Sequence, residues 1–173
     1  LGYNNYNDIF SSLLISKSLT KNTGVVVVKH ANPCGVSILK DSVESYKSAI
    51  NCDPISAFGG IVCCNFRIKK KLALELNKLF LEVIIGNNFD QNALKILKRK
   101  KNLRLIDASN FTISENLNFN SVNENFLIQS EDRKIFKKID FKIVSKKKPS
   151  KSQFNDLIFA FNVCRYVKSN AIV

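Results

Sequence analysis

The stretch that decides the fold is VVVVKHANPCG, residues 25–35. Its four β-branched residues predict a strand buried on both faces, which is typical of an interior strand in a covered, largely parallel sheet. The strand leads directly into Lys29 and His30, the only histidine of the chain, and Pro33 and Gly35 predict a loop over residues 31–40. Because the carboxyl ends of parallel strands gather ligands, we expect Lys29 and His30 to lie at a functional site.

Helices and strands are predicted to alternate along the rest of the chain. Apolar periodicity predicts helices over residues 8–19, 41–51, 72–80, 90–97 and 150–167. Asp41 and Asp90 are expected to cap two of these helices, and the apolar stripe of the last helix is expected to be core. Short apolar runs predict strands at residues 61–65, 83–85, 103–106, 126–129 and 141–145, with a surface excursion over 109–124. The alternation predicts an α/β/α sandwich with a mixed, mostly parallel sheet.

The composition is that of a folded domain. The chain has 173 residues, of which 45% are hydrophobic and 24% are charged, and this is enough for one well-packed core. We expect no membrane partner, because no run reaches the length of a membrane span. Five cysteines, an odd number, favour a reducing cytoplasm over a disulfide framework. The absence of methionine and the apolar ending at residues 171–173 lead us to expect a piece of a longer protein, cut at both ends.

The formal net charge of +13 raises the question of a nucleic-acid partner. Dense basic runs occur at residues 69–71, 98–101 and 146–148, but no aromatic or motif context joins them. We therefore favour compositional drift of an AT-rich genome and expect no nucleic-acid ligand. A basic nucleic-acid-binding module and a decayed fragment without activity are the alternatives. Binding measured at two salt concentrations would identify the first of these, since phosphate contacts make affinity steeply salt-dependent.

The residues around His30 permit more than one chemistry. Histidine titrates near neutral pH and can act as a base, and a neighbouring lysine can stabilise a developing negative charge. Cys34 could in principle act as a nucleophile beside His30. A zinc site of the deaminase kind is disfavoured, because that site needs a glutamate two residues after the histidine and a second cysteine three residues after the first. Asn32 stands where the glutamate would be, so we expect no metal.

Five stretches in order resemble the formyltransferase half of the bifunctional AICAR transformylase/IMP cyclohydrolase family of purine biosynthesis. They are YNN at residues 3–5, VVKHANPCG at 27–35, DPISAFGGIV at 53–62, EVII at 82–85 and VKSNAIV at 167–173. The resemblance therefore spans the whole chain, and the string KHANPCG is highly specific. It implies an α/β/α unit like that of cytidine deaminases, without the zinc.

The resemblance also implies a reaction. A formyl group would pass from 10-formyltetrahydrofolate to the 5-amino group of the AICAR ribonucleotide, with His30 as the base and Lys29 stabilising the oxyanion. The positions expected to bind the nucleotide are Phe58, Gly59, Glu82 and Asn170. The parent enzyme would be a cytoplasmic homodimer, and the family leaves open a bound monovalent cation.

Several family features lie outside this sequence. Residues 1–173 would supply the first deaminase-like unit and the start of the second, while the cyclohydrolase domain is absent. An upstream segment that helps to hold the nucleotide and most of the folate contacts are also missing, and residues 110–125 match poorly. We therefore expect the chain to be inactive by itself.

Overall fold

The computed structural model describes residues 1–20, 22–113, 117–132 and 134–173. The chain divides into two compact units. The first comprises Leu1–Asn110 and Val163–Val173, and the second comprises Phe111–Asn162. The sheet and the candidate site belong to the first unit.

The first unit is built on a five-stranded sheet in the order β2-β1-β3-β4-β5. The strands are β1 (Val25–Lys29), β2 (Asn32–Ser37), β3 (Ile61–Cys64), β4 (Val83–Gly86) and β5 (Arg104–Asp107). The pairs β3/β4 and β4/β5 are parallel, whereas β1 is antiparallel to both of its neighbours. The predicted α/β class with a mixed sheet is confirmed, and its parallel part is β3-β4-β5.

Helices cover both faces of this sheet. They are α1 (Tyr3–Ser18), α2 (Ser42–Cys52), α3 (Lys70–Leu76) and α4 (Gln91–Leu97). Cys64 belongs to the core cluster that includes residues of α2, α3 and α4, whereas Cys63 interacts with Ser12 and Ser16 of α1. Successive strand residues point to opposite faces. The first unit is therefore the predicted three-layer sandwich, with α1 on one face and α2, α3 and α4 on the other.

Side-chain caps fix the starts of two helices, as the sequence predicts. The Asp41 carboxylate accepts the N–H groups of Val43 and Glu44 at distances of 2.9 and 3.0 Å. Asp90 accepts the N–H group of Ala93 at 2.6 Å. These bonds satisfy N–H groups that have no partner inside the helix.

Two expectations about the region after β1 are wrong. Residues 31–40 are not simply a loop, because residues 32–37 form the edge strand β2. An edge strand tolerates Pro33, whose missing N–H would break an interior ladder. The carboxyl end of β1 also does not join the carboxyl ends of the parallel strands. Since Val28 pairs with Ile61 and Ile61 with Val83, β1 ends beside the amino ends of β3 and β4.

The second unit contains a hairpin and most of a long helix. The hairpin strands are β6 (Leu117–Val122) and β7 (Asn125–Ser130), and the helix is α5 (Lys151–Cys164). The predicted strand at 126–129 is thus confirmed within β7, and β6 occupies part of the expected excursion. The predicted strand at 141–145 is wrong, since those residues are irregular. The stripe of α5 is not buried core either: Leu157 is 48% exposed and Phe161 is 40% exposed.

Phe161 takes part in a small aromatic cluster within the second unit. Its ring centroid lies 5.0 Å from that of Phe136 and 5.2 Å from that of Phe141, and Phe141 also contacts Phe154 at 6.4 Å. The stripe of α5 therefore has partners, but they form a patch that solvent still reaches. Within the described ranges, no helix has the length and apolar character needed to cross a membrane.

Candidate functional site

The site begins at the tight turn that joins β1 to β2. Lys29 pairs with Asn32, which leaves His30 and Ala31 as the two central residues of the turn. Both adopt left-handed backbone conformations, with φ of 54° and 57°. Two-residue hairpins that need positive φ at both positions usually contain Asn-Gly. For side-chain-bearing residues such conformations cost about 1–3 kcal/mol each, so other contacts must stabilise the turn.

Asp8 of α1 supplies those contacts. Its Oδ1 accepts the N–H of Ala31 at 2.5 Å, and its Oδ2 accepts the N–H of His30 at 3.3 Å. The carboxylate is buried, with only 9% of the residue exposed. Two successive N–H groups that converge on one anion form a concave anion-binding arrangement. Asp8 thus ties the first helix to the turn that carries His30.

A cavity of about 350 Å³ opens beside this turn. Its lining residues are Gly2, Tyr3, Asn4, Asn5, Asp8, Lys29, His30, Gly59 and Glu82. The structure therefore brings four predicted site residues together, from β1, the turn after it and the loops that precede β3 and β4. His30 is solvent-exposed and Lys29 is half-buried. The two side chains of this dipeptide can share a cavity because the chain turns immediately after Lys29.

Lys29 is held by the loop before β3. Its Nζ donates a hydrogen bond to the carbonyl oxygen of Phe58 at 2.7 Å. An ammonium group has three donors, so this bond uses one and leaves two for an acceptor in the cavity. Gly59 follows with a φ of 71°, and its N–H donates to the carbonyl of Phe80 at 2.9 Å. The Phe58 ring packs on Phe80 at a centroid distance of 5.3 Å, beside the cavity rather than in its lining.

Glu82 provides a carboxylate that is hydrogen-bonded to helix α1. Its Oε2 accepts a hydrogen bond from Nδ2 of Asn5 at 2.5 Å. Its backbone N–H donates to the carbonyl of Gly60 at 3.1 Å, which fixes the residue at the amino end of β4. The Asn5 amide and the Glu82 carboxylate together offer a donor and acceptors to a polar ligand.

Asn170 does not line this cavity. It is exposed, and its Oδ1 accepts a hydrogen bond from the hydroxyl of Ser169 at 2.6 Å. The segment before it does reach the turn: the Lys168 N–H donates to Oδ1 of Asn32 at 2.9 Å, and its Nζ donates to the carbonyl of His30 at 3.4 Å. The structure thus brings the segment of Asn170 to the turn, while the Asn170 side chain stays outside the cavity.

The Cys34 thiol, close to the turn, is poorly suited to nucleophilic attack. Burial raises the pKa of Cys34 to about 11, so the reactive thiolate is scarce at neutral pH. Its Sγ lies 3.5 Å from the carbonyl of Val27, to which it donates. Burial also raises the pKa of Cys63 to about 11 and that of Cys64 well above its ordinary value. Among the described residues, no group of three or more His, Cys, Asp or Glu is arranged to hold a metal ion.

Sequence reasoning missed Asp8 and Asn5 as parts of the site. A signal for Asp8 was available, because Asp8 shares a buried helix face with Ser12 and Ile15. A carboxylate on such a face needs a partner. Asn5 lies in the quoted YNN stretch, but nothing local to that stretch indicates that its amide meets Glu82, which is 77 residues away. Such a contact depends on the packing of α1 against the sheet.

Comparison with known proteins places this arrangement in a family. The family model described as "AICARFT/IMPCHase bienzyme" matches residues 1–173. Relatives carrying the name "Bifunctional purine biosynthesis protein PurH" are 42% identical over 173 residues in Clostridium kluyveri, 42% over 174 residues in Bacillus cytotoxicus and 40% over 177 residues in Caulobacter vibrioides. All of this chain is covered, but it spans only 34% of each relative. The chain belongs to the AICARFT/IMPCHase bienzyme family, whose relatives act in purine biosynthesis.

Proposed function

We propose that this chain supplies the catalytic base and part of the nucleotide pocket of an AICAR formyltransferase. The reaction transfers a formyl group from 10-formyltetrahydrofolate to the 5-amino group of the AICAR ribonucleotide. The observation that carries the proposal is that Lys29, His30 and Glu82 line one cavity. A base, a cation and a hydrogen-bonding carboxylate are the groups that such a transfer needs.

His30 removes the proton that the reaction releases. The 5-amino group is a poor nucleophile because its lone pair is delocalised into the imidazole carboxamide. When its nitrogen bonds to the formyl carbon, one N–H proton passes to the imidazole. A well-placed base contributes about 10²–10⁴-fold to such a step. His30 is exposed at the cavity, so a ligand can reach it without displacing the core.

Lys29 stabilises the negative charge that forms on the formyl oxygen. Its bond to the Phe58 carbonyl fixes the ammonium while leaving donors for that oxygen. The charge then returns to form the new carbonyl, and the bond between the formyl carbon and the folate nitrogen breaks. The departing nitrogen takes up a proton, so the folate leaves as tetrahydrofolate.

The remaining lining groups hold the nucleotide. Glu82 and Asn5 form a polar wall that suits the hydroxyl and amide groups of the ligand, and Gly59 allows close approach of the backbone. Phe58 and Asn170 do not line the cavity. We assign them to nucleotide binding on the basis of the family pattern, with Asn170 reaching the ligand from the segment anchored by Lys168.

The size of the cavity bears on how many substrates it can hold. A volume of about 350 Å³ lies near the lower end of the usual range for small-ligand sites, which is about 300–1,000 Å³. It suits one substrate rather than both, so most folate contacts would come from other parts of a longer protein. Residues 1–173 would then supply one deaminase-like unit and the start of a second in a dimeric, bifunctional parent. The 173-residue chain is expected to show no turnover.

A chimera tests the function. In the Clostridium kluyveri relative, the 173 aligned residues are replaced by this chain, and formation of tetrahydrofolate is followed with AICAR ribonucleotide present. We expect formyl transfer by the chimera and a fall in kcat of about 10²–10⁴-fold in His30→Ala. The KM for the nucleotide should change far less, because the lost group acts on the proton rather than on ligand binding.

Two controls make the result decisive. Lys142→Ala removes a charge from a residue that does not line the cavity and should leave turnover unchanged. The 173-residue chain alone should be inactive while the chimera is active. An inactive chimera that is folded, or a His30→Ala variant with unchanged kcat, would remove the enzymatic assignment.

A further inference from the structure

The β1–β2 turn places an unusual demand on its two central residues. His30 and Ala31 both require positive φ, although neither is glycine or asparagine. The direction of a side chain follows from the φ and ψ angles of its own residue. If His30 relaxed to a right-handed conformation, its Cβ would swing away and the imidazole would leave the cavity. The placement of the base therefore depends on what holds this turn.

The Asp8 carboxylate is positioned to hold it. One oxygen lies 2.5 Å from the Ala31 nitrogen and the other lies 3.3 Å from the His30 nitrogen. The turned backbone directs both N–H groups to one side, whereas an extended strand points successive N–H groups in opposite directions and could not make both bonds. Because Asp8 is buried in α1, the anchor is part of the sandwich rather than a mobile surface group.

Lys168 also holds this turn, but it donates hydrogen bonds to the turn, whereas Asp8 accepts them. The Lys168 Nζ donates to the carbonyl of His30, and the Lys168 N–H donates to the side chain of Asn32. The shortest of the four bonds, at 2.5 Å, is made by Asp8, which is buried, whereas Lys168 is exposed. Asp8 is therefore the principal restraint, and the Lys168 contacts add to it.

We propose that Asp8 is the positioning residue for His30: its carboxylate, bound to the N–H groups of His30 and Ala31, holds the turn so that the imidazole and the Lys29 ammonium face one cavity. Asp8 transfers no proton and acts through the backbone of the base. The kinetic part of this inference rests on the proposed function, whereas the conformational part does not.

Nuclear magnetic resonance of the 173-residue chain tests the conformational part, because a single histidine gives a single set of imidazole signals. In the unmodified chain we expect backbone couplings that report positive φ at His30 and Ala31. We also expect a coupling across the hydrogen bond from the Ala31 amide to the Asp8 carboxylate. Negative φ at both residues, or a missing coupling, would overturn the proposal without any substitution.

Asp8→Asn removes one acceptor and sets an amide NH2 against a backbone N–H. We expect the φ couplings of His30 and Ala31 to change and the imidazole signals to shift. Asp41→Asn is the matched control, since Asp41 also accepts two backbone N–H groups but does so at the start of α2. Unchanged couplings in folded Asp8→Asn, or equal changes in both variants, would contradict the assignment.

If Asp8→Asn does not fold, the double variant Asp8→Asn/Ala31→Gly removes the cost of positive φ at residue 31. We expect it to fold and to retain the turn. In the chimera, Asp8→Asn should lower kcat about 100-fold, the cost of a misplaced catalytic group, with little change in nucleotide KM. An unchanged kcat would refute the inference, whereas a chimera inactive with Asp8 in place would refute only the proposed function.

Discussion

At the scale of single residues, burial separates the groups that can react from those that only pack. His30 is exposed at the cavity, whereas Cys34, four residues later, is partly buried and has its pKa raised to about 11. The same short stretch therefore contains one accessible base and one suppressed nucleophile. This difference favours proton transfer over covalent catalysis as the chemistry of the turn.

Alkylation by iodoacetamide should distinguish the cysteines. A thiol with a pKa of about 11 instead of 9.0 contains roughly 100-fold less thiolate at pH 8. We expect Cys34 to react far more slowly than exposed Cys52 at pH 8, with a rate that rises about tenfold between pH 8 and pH 9. Mass spectrometry of the native protein measures both sites together. Equal rates at pH 8 would show that the Cys34 thiol is not suppressed.

At the scale of secondary structure, the sequence predicts which strands are buried better than it predicts the relative direction of neighbouring strands. Four consecutive valines identify β1 as a strand covered on both faces, and all four are fully buried. The run does not indicate whether its neighbours are parallel, because both arrangements bury the same side chains. Pro33 and Gly35 predict a loop, yet Pro33 occupies an edge strand and Gly35 faces helix α2. Because the sequence does not specify strand direction, it predicts the wrong edge of the sheet for the site.

Gly35 shows why a small residue is needed in β2. A Cβ built on it would lie 1.8 Å from the carbonyl oxygen of Ala49 in α2, and backbone cannot move as a flexible side chain can. We expect Gly35→Ala to lower the free energy of unfolding by about 3 kcal/mol or more, at the upper end of the cost of overpacking. Urea unfolding followed by circular dichroism measures this loss.

Gly2→Ala is the matched control for that substitution, because a Cβ at Gly2 meets nothing within 4 Å. Its effect should stay within about 1 kcal/mol. Equal stability of Gly35→Ala and the unmodified chain would mean that α2 does not pack this closely on β2. The same result would remove the steric reason for glycine at this point of the KHANPCG string.

At the scale of the whole molecule, the first unit could be predicted from the sequence much better than the second. Alternating apolar runs and two aspartate caps lead to the sandwich because each signal is local. In the second unit, the apolar stripe of α5 predicts a core that the structure does not contain. Phe119 and Ile128 likewise pair across an exposed hairpin. Periodicity indicates which residues share a face, but it does not indicate what covers that face.

Stability should fall in acid. Backbone N–H groups hold the pKa values of Asp41 and Asp90 below 3.8, chiefly those of Glu44 and Ala93, and the Ser56 hydroxyl does the same for Asp53. A carboxyl whose pKa is lower in the folded state contributes stability above its unfolded pKa. It loses that contribution as the pH falls through the folded value. Urea midpoints should therefore decrease from about pH 5 to pH 2.

The double variant Asp41→Asn/Asp90→Asn isolates the contribution of the two caps. Asparagine retains an oxygen acceptor at the cap but does not titrate, so we expect a smaller decrease of the urea midpoint between pH 5 and pH 2. The variant has two fewer carboxylates than the unmodified chain, so both proteins are compared at high salt, which screens repulsion within the net charge of +13. An identical decrease in both would show that these carboxylates do not contribute to acid sensitivity.

The antiparallel placement of β1 has one further consequence. The imidazole sits at the tip of a hairpin whose first strand is hydrogen-bonded on both sides and whose valines are fully buried. Moving the imidazole out of place requires breaking the strand pairing beside β1 or the bonds from Asp8 to the turn. Local opening of the sheet and the position of the His30 imidazole are therefore coupled, and we expect a substitution that loosens the first unit to displace the imidazole before it unfolds the domain.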